Sequence, residues 1–233
     1  MLLKHTIPIL LRPKSEWLVI AGEPTTPLKL YLGYIIPLSA LALAATTVRL
    51  VQLLIYDGKN LRSFMPWVLS WGLTPTGLTA NYVGQLIEIY FIAALMTLLV
   101  PTVHGNGKTL HALKLLAFSF TPYWLSGLFI AVPLFSLNFS IPFIGFLYTG
   151  YLLYLGLPVL MKVSPTVSAF LTPVIMIVHW AAWKFRQAVL PNAVDFFRQW
   201  PVLSTDTKTM IVIVLMLALV AIIITVSKVS RSS

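Results

Sequence analysis

Long apolar stretches alternate with short polar segments along most of the chain. The clearest stretch is residues 141–162, IPFIGFLYTGYLLYLGLPVLMK, which carries no charge before its final lysine. About twenty helical residues, at ~1.5 Å each, cross the ~30 Å hydrocarbon core of a bilayer. Similar stretches predict spans at residues 30–56, 82–100, 112–135 and 210–226. A helix on a soluble protein would need a polar face, so the pattern predicts an all-α polytopic transmembrane helix bundle.

Residues 166–183 form an ambiguous stretch, because eighteen uncharged residues lie at the lower end of the spanning range. The positive-inside rule places Lys and Arg on the cytoplasmic side. If this stretch does not cross, the chain has five spans and eleven of its 16 Lys and Arg residues are cytoplasmic; if it crosses, six spans leave nine there. The rule therefore favours five spans, with six as the alternative, and the N-terminus is cytoplasmic in both.

Residues 1–29 precede the first predicted span and are rich in charge. Pro13 begins a helix that has Trp17 and Ile20 on one face, and Gly22 ends it. We predict a short amphipathic helix that lies on the membrane surface, with Trp17 at the level of the lipid headgroups. Residues 180–200, which are rich in aromatic and basic side chains, predict a second surface-lying segment.

Composition supports a membrane protein and narrows its chemistry. Only 9% of the residues are charged and 58% are hydrophobic, whereas soluble domains average about 25% charged residues. The net charge of +10 is carried mostly between the apolar stretches, where it orients a membrane protein; we therefore expect no nucleic-acid binding. The chain has no cysteine, and His104 and His111 lack a neighbouring carboxylate, so we expect no metal site and no cofactor.

Four groups of residues resemble the Yip1-domain family of membrane proteins in its short bacterial form. They are residues 12–17 (RPKSEW) followed by Glu23 and Pro24, residues 34–38 with Pro37, residues 118–124 with Pro122 and Tyr123, and residues 151–162 with Tyr151, Tyr154, Gly156 and Pro158. The resemblance covers residues 10–163 and then 207–226 as the last span. Residues 164–206 stand outside it.

The resemblance implies a five-span protein without catalytic activity, in the bacterial cytoplasmic (inner) membrane. The expected organisation is a cytoplasmic N-terminal segment (1–29), four transmembrane spans of a Yip1-like domain (30–163), a re-entrant or interfacial insertion (164–207), and the last transmembrane span with its tail (208–233).

Arg49 and Glu88 are the most informative charged residues within the predicted spans. Counted along antiparallel neighbouring helices, both lie ~10 Å inside the same membrane boundary. A charge at that depth is costly, so we expect each to face the bundle and to be paired. Gln52 and Gln85 lie three residues away on the same faces. These four residues predict either a structural ion pair between two helices or part of a path for an ion, a proton or a substrate.

Tyr148, Tyr151 and Tyr154 form a stripe at helical spacing, and Gly145, Gly150 and Gly156 allow close approach of another helix. The stripe predicts either an aromatic pocket between the third and fourth spans, near Pro122 and Tyr123, or ordinary helix packing.

The sequence contains no Ser/His/Asp order, no paired carboxylates and no HExxH helix, so we expect no enzymatic activity. We predict a protein that acts through contacts with membrane lipids and other membrane proteins, in membrane organisation or traffic, with a homo-oligomer as one possible form. The alternative is a small transporter or channel with a path near Arg49 and Glu88.

Overall fold

The structure, a computed structural model, describes residues 2–56, 75–103, 105, 108–132 and 135–189. The described residues are almost entirely helical and contain no strand. The helices are α1 (Thr6–Leu11), α2 (Pro13–Gly22), α3 (Pro27–Leu30), α4 (Ile36–Tyr56), α5 (Pro75–Leu99), α6 (Thr109–Ser119), α7 (Thr121–Ser126), α8 (Phe135–Met161) and α9 (Pro165–Val189). The prediction of an all-α fold is confirmed.

Five segments of the described chain are long and apolar enough to cross a membrane. They are Pro27–Arg49, Asn81–Leu99, Thr109–Ala131, Ser140–Met161 and Pro165–Arg186. If consecutive segments cross in alternate directions, α1 and α2 lie at the end of the bundle that holds Pro27 and Met161. We call this end the N-terminal end.

The fifth of these segments lies in the ambiguous stretch, which we interpreted as an insertion and, in the six-span alternative, as a crossing. Residues 165–189 form one helix of 25 residues that packs against α5 and α8. This is the helix that the six-span alternative requires, and the expected division of the chain into domains stays a prediction. Pro173 is accommodated inside the helix with its ring exposed. The remainder of the predicted insertion and the predicted span at 210–226 lie outside the described residues.

The N-terminal segment forms a hairpin, residues 2–22, that packs into the bundle. The chain leaves the helical conformation at Arg12, and α2 then folds back so that His5 contacts Glu16. Trp17 and Ile20 are at most 1% exposed. The prediction that they share a face is right, and that face packs against α8. The position of this helix at the membrane surface stays a prediction.

A π-helical turn, Tyr31–Ile35, joins α3 to α4 just before Pro37. Pro37 has no N–H with which to continue the hydrogen-bond ladder, and the irregularity lies in the turn that precedes it. The turn directs two tyrosines inward: Tyr31 donates to the Leu86 carbonyl at 2.9 Å, and the Tyr34 hydroxyl lies 2.7 Å from Thr121 Oγ1. The first span is thereby joined to α5 and α7.

Gly156 is required where Trp17 meets α8. A Cβ atom at Gly156 would lie 2.7 Å from Trp17 Cε2 and 2.5 Å from Leu115 Cδ1. We expect Gly156→Ala to displace the indole and to lower the stability by about 1–3 kcal/mol. Gly150→Ala is the matched control on the same helix, because its nearest neighbour, Met176 Cε, is 3.8 Å away. Thermal unfolding in detergent, followed by tryptophan fluorescence, measures both. A Gly156→Ala protein as stable as Gly150→Ala would contradict this packing.

The membrane crossing of α9 is tested in the natural cysteine-free background. Ser164 and Lys184 are exposed near the two ends of α9, and each can be replaced singly by cysteine. We expect an impermeant thiol reagent to label the two positions from opposite sides of the membrane, with Ser15→Cys labelled from the same side as Ser164→Cys. Labelling of Ser164→Cys and Lys184→Cys from one side would show that α9 does not cross.

Candidate functional site

Glu88 of α5 lies at the centre of a buried charged cluster with two residues of α9. His179 Nδ1 donates to Glu88 Oε1 at 2.6 Å, and the Arg186 guanidinium pairs with the other carboxylate oxygen. His179 and Arg186 are seven residues apart and therefore lie on one face of the helix. All three side chains are at most 8% exposed.

Aromatic rings enclose the histidine of this cluster. The ring centroid of His179 lies 4.5 Å from that of Phe120, 5.8 Å from that of Tyr123 and 6.4 Å from that of Phe146. With water excluded, an unpaired charge at this place would be strongly destabilising. The opposite charges of Glu88 and Arg186 compensate each other, and His179 satisfies a further lone pair of the carboxylate.

The prediction that Glu88 pairs with Arg49 is wrong about the partner. Arg49 is half-buried and donates to Gln52 at 3.5 Å on its own helix, while Gln85 lies half-buried one turn from Glu88. Sequence reasoning missed His179 and Arg186 because it placed them outside the bundle. The available signal was the spacing of His179 and Arg186, which are seven residues apart near the end of a long uncharged stretch.

A second charged cluster fastens the N-terminal hairpin. The two ring nitrogens of His5 contact the carboxylates of Glu16 and Glu23, and Lys4 pairs with Glu23 at 3.2 Å. Lys114, only 4% exposed, donates to the backbone carbonyls of Ile20 at 2.8 Å and Glu23 at 2.6 Å. Lys114 thus binds the end of α2 from within the bundle.

The electrostatics of Glu23 follow from these contacts. Burial disfavours its charged form, but hydrogen bonds from His5 and Lys4 together with their positive charge outweigh burial and hold the pKa of Glu23 below its ordinary value. Glu23 therefore stays ionised in the folded hairpin.

Buried aromatic side chains separate the two clusters. Phe118 contacts the first, with its ring centroid 5.7 Å from that of His5 and 4.3 Å from that of Tyr34. Phe120 contacts His179 of the second. Phe118, Phe120 and Trp124 are at most 2% exposed. This aromatic layer stands between the two groups of charges.

The tyrosine stripe does not line a pocket between the third and fourth spans. Tyr151 is 43% exposed and Tyr154 is 39% exposed on the outer face of α8, while Tyr148 donates to the Leu10 carbonyl at 2.7 Å. The alternative that we kept open, helix packing, describes Tyr148. The stripe faces the N-terminal hairpin and the outside of the bundle because the small residue beside it, Gly156, receives Trp17.

The other predicted motif residues have structural positions. Pro122 is buried in the first turn of α7, and its carbonyl oxygen lies 2.8 Å from where a Cβ of Gly145 would be. Tyr123 belongs to the rings around His179. Pro158 lies inside α8, and Pro37 is exposed at the start of α4.

Two concave regions in the described part of the bundle have apolar linings. A cavity of about 30 Å³ lies between α5 and α9, lined by residues such as Met96 and Ile175. A wider, open groove of about 550 Å³ lies on the outer face, lined by Tyr31, Leu86, Ile87, Tyr90, Phe91 and Ala94. Neither contains a residue of the two charged clusters.

A family model described as Yip1 domain matches residues 7–184. The chain belongs to the Yip1-domain family. The match is continuous through most of α9, so the Yip1 domain includes residues 164–184, which we expected to stand outside it. A search of curated proteins and a search of solved structures each gave no match. The match takes in Glu88 and His179 of the first cluster, and Arg186 lies two residues beyond it.

The Glu88–Arg186 pair is tested by a double-mutant cycle. We expect Glu88→Gln and Arg186→Gln each to lower the free energy of unfolding by about 3 kcal/mol, because each leaves a buried charge uncompensated. The double variant has no unpaired charge, so its free energy of unfolding should fall by clearly less than the sum of the two single losses. Arg49→Gln is the control and should cost under about 1 kcal/mol. Unfolding by titration with a denaturing detergent measures the cycle. Additivity within about 0.5 kcal/mol would contradict the pairing.

Proposed function

We propose that this Yip1-domain protein is a non-enzymatic membrane protein that acts through contacts with lipids and other membrane proteins, and so organises the membrane around it. The observation that carries the proposal is that the buried charged side chains of the described residues are paired with partners inside the protein. They form two separate clusters, one around Glu88 and one around Glu23, and the layer of Phe118, Phe120 and Trp124 lies between them. A path for ions or solutes would need polar groups that continue from one side of the bundle to the other.

The outer surface supports the same proposal. Large apolar side chains are exposed on three helices: Ile87, Tyr90 and Phe91 on α5, Phe143, Ile144 and Leu147 on α8, and Phe170 and Ile177 on α9. Such side chains suit contact with acyl chains or with the helices of another membrane protein. A second copy of the chain is one partner with suitable chemistry.

The orientation that we propose places the N-terminus in the cytoplasm. Within the described residues, seven Lys and Arg residues belong to the N-terminal end and three to the opposite end. The seven are Lys4, Arg12, Lys14, Lys29, Lys108, Lys114 and Lys162. The positive-inside rule assigns the richer end to the cytoplasm.

The alternative of a transporter or channel has one supporting observation, the buried titratable pair of Glu88 and His179. It loses the path that we predicted, because Arg49 is not joined to Glu88 and bonds to Gln52. The two functions differ in a measurable way.

The test combines cross-linking with flux. A photoreactive residue at Tyr90, which is 51% exposed, should give discrete cross-links to a protein in native membranes, whereas one at Ile92, which is 2% exposed, should cross-link only within the chain. Reconstituted liposomes should show no proton or ion flux above that of empty liposomes. Flux that Glu88→Gln abolishes would establish the transporter and overturn the proposal, as would the absence of intermolecular cross-links at position 90.

A further inference from the structure

Three basic side chains from two separate parts of the chain come together at the N-terminal end of the bundle. Lys108 immediately precedes α6, His111 lies in its first turn, and Lys162 follows the last residue of α8. The segment that leads to Lys108 packs against the residues on either side of Lys162, and His111 follows Lys108 within the first turn of α6. Both lysines are exposed, and His111 is half-buried between them and the bundle.

Backbone packing fixes this arrangement. A Cβ atom at Gly105 would lie 2.7 Å from Val163 Cγ1 and 2.9 Å from the Met161 carbonyl oxygen, so the chain before α6 is pressed against the chain after α8. The three basic groups are therefore held together by the fold, independently of any ligand.

Lys162 occupies a conformation that is unfavourable for lysine. Its φ is 57°, and it has the one positive φ found for a non-glycine residue in the described chain. Glycine normally occupies this position after a helix, because a side chain with a Cβ is strained there. Lysine at this position therefore destabilises the protein relative to glycine, and it lies beside two further basic groups.

The positive charges here have little local compensation. Lys108 and Lys162 form no ion pair among the described residues, and Lys114 of the same helix α6 is clamped to the carbonyls of Ile20 and Glu23. Helix α6 begins at the same place without a side-chain cap, so its first-turn amides add to the attraction for an anion.

We propose that Lys108, His111 and Lys162 bind the phosphate group of an anionic phospholipid headgroup. The site lies at the ends of the candidate spans Thr109–Ala131 and Ser140–Met161, where apolar helix gives way to polar chain. Headgroup phosphates lie at that level of a membrane, and basic residues beside spanning helices attract anionic lipids. This inference rests on the proposed function and names the lipid class for its lipid contacts.

Lipid binding is measured on the full chain in detergent, by titration with phosphatidylglycerol or phosphatidylcholine while thermal stability is followed. Phosphatidylglycerol should raise the melting temperature more than phosphatidylcholine does. Lys108→Gln should weaken the affinity for phosphatidylglycerol about fivefold, the effect of one lysine at a membrane surface. Lys29→Gln, an equal change of charge at the same end, is the matched control and should leave the affinity unchanged.

Lys162→Gly separates the headgroup site from a structural role. Without lipid it should raise the melting temperature, because glycine relieves the strain at φ 57°. With phosphatidylglycerol it should show the same loss of affinity as Lys108→Gln. A variant that loses stability without lipid, or that binds phosphatidylglycerol as the unaltered protein does, would overturn the proposal.

The same titration is repeated with inorganic phosphate and with glycerol phosphate as soluble anions. Stabilisation by either that is as large as that by phosphatidylglycerol and equally sensitive to Lys108→Gln would assign the site to a soluble anion and overturn the lipid. Equal losses of affinity in the Lys29→Gln control would reduce the effect to general surface charge and would overturn the proposal as well. Because these readouts involve neither flux nor cross-linking at position 90, the headgroup site can fail while the proposed function stands.

Discussion

Exclusion of water from the helix bundle forces each charged side chain inside it to find a partner within the protein. Glu88 finds two on α9, and Lys114 finds the backbone carbonyls at the end of α2. In both cases the partner belongs to a segment that also packs against the bundle through apolar side chains. Apolar packing between helices in a membrane gains nothing from the removal of water, so directional contacts of this kind specify which helices become neighbours.

The N-terminal hairpin is held against the end of the bundle by several kinds of contact. Its carboxylates meet His5 and Lys4, its carbonyls meet Lys114, and its indole meets the bare backbone of Gly156. Ion pairs, hydrogen bonds and close packing thus all contribute to holding the hairpin at this end of the bundle. The hairpin also completes the core from one end, since Phe118 packs against both His5 and Trp17.

Much of the fold could be predicted from the sequence, because the length of an apolar stretch is a direct measure of what a bilayer requires. The helical class and four spans follow from it, as does the shared face of Trp17 and Ile20. The position of α9 could not be predicted in this way, because its charged end is typical of an interfacial segment until a partner for Arg186 is known. That partner is Glu88, which sequence distance along neighbouring helices had assigned to Arg49. Pairing across a bundle depends on which helices are adjacent, and spacing along the chain carries no such information.

The hydrogen bond from Tyr148 to the Leu10 carbonyl joins residues 138 positions apart. Trp17 likewise meets a glycine that is synthesised only near the end of the fourth span. During synthesis the hairpin is made first, yet its binding surface does not exist until α8 has emerged. The hairpin therefore reaches its final position only after α8 has been made, and until then its charged and aromatic residues need another environment, such as the ribosome, the insertion machinery or the membrane surface. The N-terminal hairpin is packed into place after the helices to which it binds.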